Sequence, residues 1–187
     1  MPSPRLHVEL PPWVDGLVDW QRRHPRLEDR MGLVLALGHE QVRRGTGGPF
    51  AAAVFERDSG VLVAVGVNMA VPARNCVLHA EAVALMMAGA RLQSHSLRVE
   101  GMPPHELVSS CEPCAMCLGA TLWSGVARLV TGATKADAEA IGYDEGPVFP
   151  ESYAYLERRG VAVVRDVLRD EARTLFTEYQ AAGGVIY

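Results

Sequence analysis

Three of the chain's four cysteines fall in one stretch, SCEPCAMCLGA, at positions 111, 114 and 117. Thiols at this spacing can serve a disulfide, a redox pair or a metal site. The N-terminus, MPSPRLHVELPPW, has no apolar run after its charge, so a secretory leader is not expected and a reducing cytoplasm is. Clustered cysteines there serve metals or redox chemistry more often than disulfides. Pro113 suits the first turn of a helix, where a missing N–H costs nothing. A helix starting at Pro113 puts Cys114 and Cys117 at i and i+3 on one face, where two thiolates can hold one ion. Cys111 precedes that helix and is read as a free thiol packed beside the site. Pairing Cys111 with Cys114 for redox work leaves Cys117 without a role.

Two thiolates need a third ligand, and His79, opening the stretch HAEAVALMMAGARL, is the obvious donor. Three protein ligands plus a water is the open arrangement of a catalytic zinc, whereas structural zinc takes four. Glu81, two residues from a ligand, would stand near that water without ligating. A general base must lie within about 3 Å of the proton it takes. The donor set therefore predicts one Zn2+ per chain, with a carboxylate to move protons beside it.

The elements that must position these groups can be read from periodicity. Leu27, Met31, Val34, Leu35, Gly38 and Val42 mark an amphipathic helix ending near RRGTGG. FAAAVFER and VLVAVGVN flank the turn residues DSG, which predicts an antiparallel hairpin. The HAE helix is apolar nearly all round and should be buried. HELVSS reads as a strand running into the cysteines, VARLVTGA and VAVV as further strands, and Leu168 to Tyr179 as a terminal amphipathic helix. The order predicts one α/β domain over residues 27–187, with helices on both sheet faces. Residues 1–26, with Pro2, Pro4, Pro11, Pro12 and Pro25, read as an irregular extension holding a short helix around Val14–Trp20.

Composition narrows the partners. The 187 residues carry a net charge of −4, and of 18 basic residues only Lys135 is a lysine. The densest basic patch, Arg22 to Arg30, is interrupted by Glu28 and Asp29. Nucleic-acid binders present a basic face, so a nucleic-acid partner is not expected. No apolar run approaches the ~20 residues that span a bilayer, so no membrane partner is expected either.

The pattern H-x-E…P-C-x-x-C is the signature of zinc deaminases. With GGPFAAAVF, VGVN, SCEPCAMCLGATLW, ADAEAIGYDEGP and the closing GGVIY, residues 27–187 resemble the cytidine deaminase-like superfamily, and within it the guanine deaminase branch. The resemblance implies a three-layer α/β/α fold with a five-stranded mixed sheet, and a homodimer acting on a purine base. It implies His79, Cys114 and Cys117 as zinc ligands and Glu81 as the proton shuttle. Asn68, Phe50, Ala80, Trp123 and Tyr143 are placed as base-binding positions, and Glu145 as a second acidic group contacting guanine. Tyr187 matches a terminal tyrosine that closes the partner subunit's site through a swapped tail. Plainer readings stand beside these: Asn68 as a turn residue, Phe50 and Trp123 as core, and Asp144 in place of Glu145. Guanosine, cytosine and the aminotriazine ammeline are rival substrates, and a tRNA adenosine deaminase shares the zinc motif. A zinc scaffold without catalysis would leave Glu81 without purpose.

Overall fold

The computed structural model describes residue 3 and residues 5–187; Pro2 and Pro4 of the predicted extension lie outside the described residues. The hairpin strands β1 (Ala51–Glu56) and β2 (Leu62–Val67) have almost no exposed side chains. A strand buried on both faces needs a layer on each side. Ala51, Ala53 and Phe55 point into a core shared with helix α2 (Leu27–Arg44) and helix α7 (Arg169–Ala181). Ala52 and Val54 point the other way, into a core with α3 (Ala80–Leu92), α4 (Ala115–Ser124) and α6 (Pro150–Arg158). The same alternation continues in β3 (His105–Cys111) and β4 (Arg128–Ala133), where Val108 and Val130 face one core and Leu107 and Leu129 the other.

The five strands run in the order β2-β1-β3-β4-β5, with β5 at Ala162–Val164. β1 is antiparallel to β2 and β3, and β3, β4 and β5 are parallel. The parallel pair β3–β4 requires a crossover, which α4 provides. This is the mixed sheet between helix layers that the resemblance implies. Gly66 permits the closest contact in it: a Cβ there would stand 2.2 Å from the carbonyl oxygen of Ala80 and 2.4 Å from the Ala84 nitrogen. β2 thus lies directly on the first turn of α3, the helix that carries His79.

One expectation is corrected. The helix after the cysteines starts at Ala115, with Cys114 as its extended N-cap (φ −64°, ψ 172°), so Pro113 lies just outside it. The described part of the N-terminal segment is irregular outside one short helix, and it packs on the domain. Its helix, α1, is Trp13–Leu17, and Val14 and Val18 enter the core. His24 N–H bonds the Gly60 carbonyl, and the Arg91 guanidinium sits 4.9 Å over the Trp20 ring.

At the sheet end away from the cysteines, Glu106 is fully buried between Arg30 and Arg128. Arg30 also donates to the carbonyls of His24 (2.7 Å) and Arg57 (2.9 Å). Among the described residues no helix is long and apolar enough to cross a membrane.

Candidate active site

The ligating residues sit at helix starts. His79 is the N-cap of α3 and Cys114 the N-cap of α4, with Cys117 in the first turn of α4. Helix N-termini carry partial positive charge, which favours thiolate at Cys114. The ligand atoms of His79, Cys114 and Cys117 lie within 4.8 Å of one another, and His79 Nδ1 stands 3.5 Å from Cys114 Sγ. A nitrogen and a sulfur bound to one tetrahedral zinc stand ~3.6 Å apart, from bond lengths of ~2.1 and ~2.3 Å. The residues fit zinc by spacing and by donor chemistry. Cys114 loses its helix-face argument, because it precedes α4, but keeps its place.

Hydrogen bonds from Cys117 and then His79 hold the Cys114 thiol down to about 4, although burial opposes them. The same bond to Cys114, with burial, pushes the Cys117 thiol far up, and Cys114 also raises His79. Cys111 is buried outside this group and its thiol donates to the Thr134 carbonyl at 3.4 Å. Glu81 is buried in the first turn of α3, where burial and then the charge of Cys114 raise its carboxyl above the ordinary range.

Beside the ligands lies a cavity of about 190 Å³ lined by Phe50, Asn68, Glu81, Tyr143, Glu145 and Tyr187 among others. Phe50 and Tyr143 meet edge to face at 4.9 Å, and Tyr143 meets Tyr187 at 5.6 Å. Asn68 directly follows β2; its Oδ1 accepts from the Ala70 N–H at 3.1 Å, which leaves the amide NH2 to face the cavity. Glu145 is buried in the loop before α6, and burial, then the charges of Glu81 and Cys114, push its carboxyl up to about 8. Its carbonyl accepts from Ala115 N–H at the start of α4. Lys135 Nζ braces the same loop, donating to the carbonyls of Gly146 (2.7 Å) and Val148 (3.4 Å). Asp144 lines the cavity beside Glu145.

The C-terminal tail returns to this site in its own chain. Gly184 packs flat on the Tyr179 ring, Tyr179 Oη donates to the Val185 carbonyl at 2.9 Å, and Tyr187 reaches Asn68. Two predicted base-binding positions fall elsewhere. Trp123 is 77% exposed and borders a separate apolar groove between α3 and α4. It lies six residues beyond Cys117, roughly 240° round a helix of 3.6 residues per turn, so it points away from the ligands. Ala80, the first residue of α3, is fully buried against β2 and does not line the cavity.

Sequence reasoning missed Glu112, which lines the cavity while accepting from Lys135 N–H at 2.9 Å and pairing with Arg165 at 3.1 Å. Its place between two cysteines was the available signal. It also missed Gln41, a polar residue within the helical period of α2 that is fully buried.

Residues 26–133 match the cytidine and deoxycytidylate deaminase zinc-binding region. A guanine deaminase of Bacillus subtilis (strain 168) is 32% identical over 127 residues, covering 68% of this chain and 77% of that protein. The solved structure of a guanine deaminase from Nitrosomonas europaea is 48% identical with a TM-score of 0.90, covering 95% of this chain and 97% of that one. A variant chain solved in complex with 8-azaguanine is also 48% identical with a TM-score of 0.90, covering 95% and 98%. With a His, Cys, Cys site, a buried glutamate beside it and a shared architecture over nearly its whole length, the chain belongs to the zinc-dependent cytidine and deoxycytidylate deaminase family, in its guanine deaminase branch.

Proposed function

We propose that this chain converts guanine and water to xanthine and ammonia. The observation that carries the reading is the pair of unlike groups in one cavity: the donor amide of Asn68 and the buried acceptor Glu145. Guanine presents acceptors at O6 and N7 and donors at its ring N–H and 2-amine, so it can satisfy both. Cytosine has no ring N–H beside its amine-bearing carbon, and adenine offers a donor where guanine offers O6. The cavity is below the ~300 Å³ at which larger ligand pockets begin, which suits a bare base better than a nucleoside.

Zinc in such a site lowers the pKa of its water to about 7. Glu81 takes a proton from the attacking water as oxygen bonds to carbon 2. It delivers that proton to the adjacent ring nitrogen, then moves the remaining proton of the new C2 hydroxyl to the departing amine, so the carbon–nitrogen bond breaks, the carbonyl forms and ammonia leaves. Its burial raises the carboxyl, which makes it a better proton acceptor than an exposed glutamate. Phe50, Tyr143 and Tyr187 supply the aromatic walls that hold the ring and exclude water.

Ammonia release by the zinc-loaded enzyme over guanine, guanosine, cytosine, cytidine, adenine and ammeline tests the reading. Guanine should give the highest kcat/KM; a higher value for guanosine, cytosine or ammeline overturns it. A homodimer in the cytoplasm completes the proposal. Whether dimeric chains exchange their tails is tested by mixing a Glu81→Gln chain with a tail-deleted one. Recovery of activity requires exchange, whereas the tail's path over its own site favours none.

A further inference from the structure

A hydrogen-bond chain runs from the N-terminal segment to the back of Asn68. The Trp13 indole N–H donates to Thr46 Oγ1 at 3.2 Å, Thr46 Oγ1 donates to Gln41 Oε1 at 2.9 Å, and Gln41 Nε2 donates to the Asn68 carbonyl at 2.5 Å. Its direction is forced. An indole N–H can only donate and a backbone carbonyl can only accept, so the hydroxyl and amide between them have one consistent arrangement. Gln41 is fully buried, and a buried amide without partners is costly, so this side chain is held in one orientation. The backbone closes over the last bond. A Cβ on Gly47 would stand 2.0 Å from the Asn68 oxygen and 2.2 Å from Gln41 Nε2. Asn68 is thus fixed from behind by Gln41 and from its own side chain by Ala70, and its amide NH2 is turned to the cavity, where Tyr187 reaches it.

We propose that Gln41 is a positioning residue for Asn68, and that Trp13, through Thr46, makes the N-terminal segment part of the base-binding apparatus. The inference rests on Asn68 contacting the base. It gives the segment around Trp13, which precedes the matched family region, a role in substrate affinity rather than in stability alone.

A double-mutant cycle in the zinc-loaded enzyme tests this, with 8-azaguanine binding measured by calorimetry beside guanine kinetics and zinc content. Gln41→Met should weaken 8-azaguanine binding roughly tenfold, the scale of one lost hydrogen bond. It should raise KM more than it lowers kcat and leave zinc content unchanged. Trp13→Phe, which keeps the ring packing, should weaken binding about two- to threefold, and it carries the cycle if Gln41→Met does not fold. In an Asn68→Ala background either substitution should cost nothing further, because its effect passes through the missing side chain. If Asn68→Ala weakens binding but the second substitution costs the same in both backgrounds, Gln41 is merely structural and the inference fails alone. If Asn68→Ala binds 8-azaguanine as tightly as the parent, the base-contacting role of Asn68 fails, and this inference with it.

Discussion

At the scale of single residues, the site separates holding the metal from moving protons. Glu81 ligates nothing in the His79, Cys114, Cys117 group, yet lies buried against it. Glu81→Gln should therefore keep zinc and fold while turnover falls by at least ~10²–10⁴-fold, the range for lost acid–base assistance. Near-normal rates in a clean preparation would remove it from the mechanism. The cysteines divide similarly. Cys111 bonds Thr134 and stands outside the ligand group, so Cys111→Ser should retain metal, whereas Cys114→Ser should lose it. Elemental analysis of the two variants decides the assignment, and the reverse pattern would overturn it.

At the scale of elements, the segments flanking the cavity are held by few and identifiable contacts. Asp137 caps α5 (Lys135–Glu139) through Thr134 and pairs with Arg169 of α7. Burial opposes its charge, but hydrogen bonds from Arg169 and Thr134 outweigh it and hold the carboxyl down to about 2. A carboxyl depressed in the folded state stabilises above its unfolded pKa of ~3.9, and that contribution fades as pH falls toward the folded value. The Tm gap between the parent and Asp137→Ala should be full at pH 6 and shrink between pH 4 and 2; a gap independent of pH would deny the charge a role. The tail is the other such segment. Deleting residues 185–187 should leave zinc and Tm nearly unchanged but raise KM and lower kcat, because Tyr187 no longer excludes water from the cavity. Unchanged kinetics would make the tail incidental.

The elements show where sequence sufficed. Strands and long helices were legible because alternation and 3.6-residue spacing record burial directly, and the ligands because His, Cys and Cys have one shared chemistry. The start of α4 was not, since a proline before the cap and one in the first turn both forgo the same N–H. Trp123 was placed by resemblance, and the nearly all-apolar α4 gives no periodicity to show which of its faces carries the site. Gln41 was silent, since a buried glutamine looks like a surface one until Asn68 and Thr46 are beside it.

At the scale of the whole molecule, catalytic and anchoring ends of the sheet are separate. Glu106, Arg30 and Arg128 hold the end opposite the cysteines, where Arg30 also ties the N-terminal segment through His24. Breaking a buried pair by removing one partner typically costs ~3–5 kcal/mol, because the other charge stays buried and uncompensated. Arg30→Met should lower stability by about that amount in denaturant titration, with zinc retained in the folded fraction. A loss under ~1 kcal/mol would mean that Arg128 alone neutralises Glu106. The scarcity of lysine has a practical consequence. Amine-coupling dyes and supports find a single lysine side chain, and it is the brace of the loop that carries Glu145. Acylating Lys135 would remove its charge and its hold on Gly146, so attachment through this side chain would loosen the loop that carries Glu145. The exposed thiol of Cys76 is the better anchor for tethering the folded, zinc-loaded chain.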